Sequence, residues 1–204
     1  MTSVGAAELE RRAIPDVRDI RRLAVGTGVV GYAAVAFLVA LFVVGQPFGT
    51  LNDILNGVLG ILSALLAWTM WRRGVSSGAV TAVAALGAAI AVVGSALVVS
   101  GTTGFFLAGL VSSVGFALIG LWLVEANRIL GQTGAVPRAL SRLGLAAGTA
   151  MAFGFIDLPG IAMRLDDMTS VPPWIWVGSL WFVGAFALYP AWALWLGLRR
   201  ADDR

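Results

Sequence analysis

The chain has 204 residues, 59% hydrophobic and 12% charged, with a mean hydropathy of +0.90. Soluble domains carry about twice that share of charge, so lipid must supply part of the solvent and the expected class is an all-α, polytopic membrane protein. Cys, His and Lys are absent and every basic residue is Arg, which excludes disulfides, thiolate chemistry and imidazole catalysis and leaves no cofactor or metal to expect.

Residues 1–22 form a polar segment with five Arg among four acids. Pro15 followed by DVRDIRR predicts a short amphipathic helix on the membrane surface, with Val17, Ile20 and Leu23 toward lipid. A cleavable signal peptide is not expected, because the apolar run that follows is too long and lacks a nearby small-x-small site. Within that run GTGVVG, residues 26–31, matches G-x-G-x-x-G. A dinucleotide fingerprint needs a preceding strand, so these glycines are read as helix packing.

Six apolar segments are expected at about 23–44, 51–71, 78–99, 104–124, 140–156 and 174–196, each near the ~20 residues that cross a hydrocarbon core. Together they make a six-helix transmembrane domain over residues 23–198, followed by a tail at 199–204. The connections at 45–50, 72–77 and 100–103 are short and rich in Gly, Ser or Pro, which predicts antiparallel hairpins. Thirteen of the fourteen Arg fall on one side of that arrangement, and only Arg164 on the other. The positive-inside rule then places both termini in the cytoplasm of an inner-membrane protein. It also explains a pI near 10.5 without nucleic acid.

Segment two opens LNDILNGVLG. Asn52, Asn56 and Ser63 lie within roughly 40° of one another at 100° per residue, so one polar stripe runs inward from the outer surface. Asp53 points about 100° away and is expected to be an exposed N-cap. The stripe reads either as amides bonding across helices or as the wall of an outward-opening pocket between segments two, five and six, with Asp157 at its rim. NDILN and LDDM (165–168) only faintly resemble prenyltransferase aspartate motifs; the acids are too few and on the wrong side, and that reading is rejected.

Small residues at intervals of four mark packing ridges: Gly87, Ala91 and Ser95 in segment three, Gly109, Ser113 and Ala117 in segment four, and Gly144, Gly148 and Ala152 in segment five. A homodimer seam is the alternative use for them. Glu125 is expected to pair with Arg128. The loop 157–173 carries Ile161, Leu165 and Met168 at helical spacing, predicting a short helix over the outer mouth, with Arg164 paired to Asp157 or a neighbouring acid. Segment six holds five of the eight Trp, and most would sit in interfacial belts. Trp181, Trp192 and Trp195 could share one aromatic wall. Pro190 should kink the helix and leave the Phe186 carbonyl without its donor, with the Tyr189 hydroxyl at hand.

PRALSRLGLAAG (137–148), YPAWALWLG (189–197) and WLVEANR (122–128) give the C-terminal half a resemblance to a diffuse group of multi-pass membrane proteins from high-GC bacteria. That resemblance implies an inner-membrane helical bundle and no activity. The leading expectation is a non-enzymatic accessory or lipophile-binding protein whose partners are membrane lipids, a lipophilic small molecule, or a further subunit or second copy. The candidate ligand residues are Asn52, Asn56, Ser63, Asp157, Arg164, Trp181 and Tyr189. A small transporter is one alternative, opposed by the want of a mid-membrane charge or an internal repeat. An enzyme using Asp157 or Asp53 as proton donor on a lipid or terpenoid is the other, and it requires those acids to be buried in a cavity.

Overall fold

The structure, a computed structural model, describes residues 17–199. The tail beyond Arg199 and the start of the expected surface helix at Pro15 lie outside those residues. Within them, six helical stretches are long and apolar enough to cross a membrane, and there is no strand. Helix α1 is Val17–Val44, α2 Phe48–Trp71, α3 Gly78–Val99 and α4 Phe105–Gln132. The fifth span joins α5 (Arg138–Ala152) through a 3-10 turn to α6 (Leu158–Ala162). The sixth joins α7 (Pro173–Gly178), α8 (Leu180–Val183), a π turn (Gly184–Leu188) and α9 (Tyr189–Leu198).

Several boundaries differ from expectation. Residues 17–22 form no separate surface helix; they are the opening turns of α1, tied down where Arg21 Nε donates to the Gly197 carbonyl at 3.0 Å. Helix α4 runs on past Glu125 to Gln132, because nothing between them breaks a helix and its inner face stays buried through Ala126, Asn127 and Leu130. Glu125 does not pair with Arg128. Its carboxylate accepts from the backbone N–H and hydroxyl of Ser77, the N-cap of α3, at 3.3 and 3.4 Å.

Consecutive spans are antiparallel neighbours, and the sixth closes the ring on α1. The hairpin after α2 ends on Gly74, whose φ of 72° lets the Val75 N–H reach back to the Met70 carbonyl at 3.0 Å, a Schellman closure that a Cβ would strain. Backbones meet at two glycine pairs. A Cβ on Gly87 would lie 2.5 Å from the Gly115 carbonyl oxygen, and one on Gly120 would lie 2.7 Å from that of Gly148. These pairs join α3 to α4 and α4 to α5, and they bear out two of the three ridges. The third fails at its first member, since Gly109 has nothing within 4 Å of an added Cβ and borders a cavity instead. Gly28 and Gly31, from GTGVVG, receive Leu194 and Pro190 of the sixth span.

The sixth span is two half-helices with different neighbours. At the π turn the Tyr189 N–H reaches the Gly184 carbonyl, a five-residue step immediately before Pro190, which has no N–H of its own to give. The Ala187 carbonyl accepts from the hydroxyl of Tyr32 on α1 at 3.2 Å. Tyr189 was the expected helper, but its side chain is buried elsewhere. Below the turn, α9 packs on α1; above it, α7 and α8 pack on the fourth and fifth spans. A space lies between α1 and the upper half.

The extra residue in the π turn also rotates the two halves by about 100° relative to one another, which dissolves the expected aromatic wall. Trp181 stacks on Phe116 with centroids 5.9 Å apart, Trp192 is wholly buried, and Trp195 is 43% exposed. Trp192 is therefore a core residue and no part of a belt.

Candidate functional site

The space beside the upper half of the sixth span is a cavity of about 290 Å³ at the end of the bundle opposite the Arg-bearing turns. Leu38 and Phe42 of α1 line one side of it, and Trp176, Ser179, Trp181 and Phe182 of the sixth span another. The rest comes from the start of α2, the end of α3, the start of α4, Asp157 and Met168. This is wider than the pocket expected between spans two, five and six, because α1, α3 and α4 also contribute to the wall.

The polar groups reach the cavity on separate elements. Helix α2 begins at Phe48 behind Pro47, three residues earlier than the apolar pattern suggests, so Asp53 lies in its second turn rather than at its cap. Asp53 is 8% exposed and lines the cavity, correcting the expectation of a solvated N-cap residue. Asn52 donates to the Ala34 carbonyl of α1 at 2.9 Å and accepts from the Asn56 amide at 3.2 Å. Asn52 is thus interhelical glue, while the Asn56 amide bonds within its own helix and its Oδ1 has no partner.

Asp157 is 1% exposed, with Ser113 and Trp181 at its carboxyl. It packs against Gly178, where a side chain would collide with it. Its Oδ1 has no hydrogen-bond partner. Ser95 Oγ, from the last turns of α3, is unpartnered as well. Five buried side-chain atoms among the described residues lack a partner; three of them, on Asn56, Ser95 and Asp157, belong to residues lining this one cavity. A buried polar group left unpaired costs several kcal/mol on about the alkane-transfer scale, so their gathering here is a property of the site.

Ser63 and Tyr189 stand outside the lining. The Tyr189 hydroxyl donates to Ser63 Oγ at 2.9 Å, and Ser63 donates to the Leu59 carbonyl at 2.7 Å. Below them Trp192 Nε1 donates to Asn127 Oδ1 at 2.8 Å, and Ser141 donates to the Asn127 carbonyl at 2.7 Å. This network pins the lower halves of α2, α4, α5 and α9 together under the cavity floor. Asn127 was visible in WLVEANR, but its role depends on α4 continuing past Glu125.

Arg164 is not in the site. It adopts a φ of 53°, and the N–H of the next residue, Leu165, reaches the Gly160 carbonyl at 3.0 Å. Arg164 therefore closes α6 as the left-handed residue of a Schellman turn and does not pair with Asp157. The short helix expected in the loop 157–173 is present as α6, which carries Ile161, but it ends before Leu165 and Met168, and the loop beyond it forms only a 3-10 turn, Met168–Ser170. Two hydrogen bonds from Thr169 hold the Asp167 carboxyl below its usual range, while Asp166 accepts from the N–H groups of Gly104 and Leu107 at the start of α4, at 2.6 and 3.1 Å. Both acids of LDDM are structural. No protein-family model matches this sequence, and neither the curated proteins nor the solved structures contain a match to it.

Proposed function

We propose that this is an integral membrane protein that binds a lipophilic small molecule, with both termini in the cytoplasm and the cavity in the outer leaflet half of an inner membrane. The carrying observation is the cavity itself: an apolar, aromatic wall with a few converging polar atoms is the usual composition of a small-molecule site. Its volume of about 290 Å³ lies just under the lower bound of the range of about 300–1,000 Å³ that such sites span, which suits a small ligand. The orientation rests on the Arg segregation alone. Access from the bilayer is supported by Phe42, Trp176 and Phe182, which are lining residues that also remain exposed on the bundle surface.

Gly109 supplies the test. Its position borders the cavity with open space around an added Cβ, so Gly109→Phe should fill the site without moving a helix. Wild-type protein purified in native lipid should carry a lipophile, detectable by mass spectrometry of the denatured sample, that the variant lacks. The same small-molecule complement in both would overturn the reading. A second reading, carboxylic-acid catalysis on a lipid or terpenoid, gains support from Asp53 and Asp157 both being buried on this cavity. It demands that the retained molecule be turned over, and that Asp157→Asn abolish turnover while leaving retention intact.

A further inference from the structure

We propose that the ligand of this cavity is a cationic amphiphile, a protonated alkylamine whose ammonium head lies between the Asp53 and Asp157 carboxyls and whose chain lies along the aromatic wall; this rests on the lipophile-binding reading above. Among the described residues, Asp53 and Asp157 are the only ionisable ones in the lining. No Arg among the described residues lines it, and Arg164, the nearest in sequence to Asp157, is not part of the wall. A carboxylate removed from water needs a cation or several donors to offset its lost hydration. Among the described residues no hydrogen bond reaches Asp53, and Asp157, which is 1% exposed, has Ser113 and Trp181 at its carboxyl but keeps Oδ1 without a partner.

The remaining unpartnered atoms on lining residues point the same way. Asn56 Oδ1 can only accept, and Ser95 Oγ, on a residue 8% exposed, can accept as well. A site of two carboxyls, an amide oxygen and a hydroxyl calls for a head group made of donors, and a primary ammonium offers three donors and no acceptor. An alcohol supplies one donor, and a carboxylate supplies none and adds like charge. Phe105, Trp176, Trp181 and Phe182 line the same space, and aromatic faces attract a cation as well as an alkyl chain.

The experiment uses the full chain in nanodiscs of zwitterionic lipid, with radiolabelled decylamine as probe and decanol and decanoate as competitors. Decylamine should bind saturably, decanol should compete at least about tenfold more weakly, and decanoate should not compete. Asp53→Asn and Asp157→Asn should each weaken decylamine about tenfold, equivalent to 1.4 kcal/mol, and leave decanol within about twofold. Comparing variants in identical discs cancels partitioning into the lipid. If Asp157→Asn fails to fold, Asp53→Asn carries the same expectation, since no hydrogen bond is lost with it. Decanol competing as well as decylamine, or unchanged decylamine affinity in the Asn variants, would mean neutral carboxyls and would overturn the cation assignment while leaving a lipophile site. Absence of saturable binding for all three would overturn both.

Discussion

Replacing Gly148 by Ala places a methyl group where α4 and α5 touch backbone to backbone. The new Cβ would lie 2.6 Å from the Gly120 carbonyl oxygen, 2.8 Å from Val124 Cγ2 and 3.0 Å from the Val124 nitrogen. Ordinary contact begins at 3.4 Å, so the helices must part by about 0.8 Å, and two of the three obstacles are backbone that cannot rotate away. Overpacking of this kind costs about 1–3 kcal/mol. Ala also gains about 1 kcal/mol of helix propensity over Gly, which would mask part of the loss. Gly109→Ala corrects for that, because Gly109 is also within a helix, in the second turn of α4, and has nothing within 4 Å of its added Cβ. Unfolding by sodium dodecyl sulfate from dodecylmaltoside, followed by circular dichroism, should place Gly148→Ala about 1–3 kcal/mol below Gly109→Ala. Gly148→Leu should fall lower still, and below Leu145→Ala, whose side chain is only half-buried. Equal stability of the two Ala variants would refute close backbone approach as the source of association between these spans.

Cysteines at Ser77 and Gln132 should resist an impermeant thiol reagent in intact cells, while those at Thr102 and Thr169 should label; the reverse pattern would invert the proposed orientation. Asn56→Leu removes an amide that bonds only to Asn52, so stability should fall by no more than about 0.6 kcal/mol while lipophile retention drops. A loss near 2 kcal/mol with retention unchanged would make Asn56 structural glue. Trp192→Phe strands Asn127 Oδ1 in the core and should cost about 1–3 kcal/mol. Tyr189→Phe leaves Ser63 still bonded to the Leu59 carbonyl and should cost less, about 0.6 kcal/mol; equal losses in detergent unfolding would contradict the hydrogen-bond assignment.

Hydropathy and short-range spacing determined the class, the number of spans and most of the packing. A run of about 20 apolar residues is helical in lipid, whatever its neighbours are, because only a helix satisfies the backbone within the segment itself. Small residues four apart make one ridge on any helix. For the same reason the burial of Asn52 and Ser63 was readable from their shared face. Sequence periodicity failed where a helix stopped being regular. The start of α2 at Phe48 made Asp53 a cavity residue instead of a cap, and the π turn at Gly184–Leu188 separated Trp181 from Trp192 and Trp195. Pro190 announced a disturbance, but whether a missing N–H yields a kink or an added residue depends on which neighbour accommodates the displaced carbonyls. Here α1 does so through Tyr32, 155 positions away in the chain. The cavity lies beside that turn, between α1 and the upper half of the sixth span. Its two acids lie 104 residues apart, on spans that are not sequential neighbours, and only tertiary packing could bring them to one apolar space with no Arg among its walls.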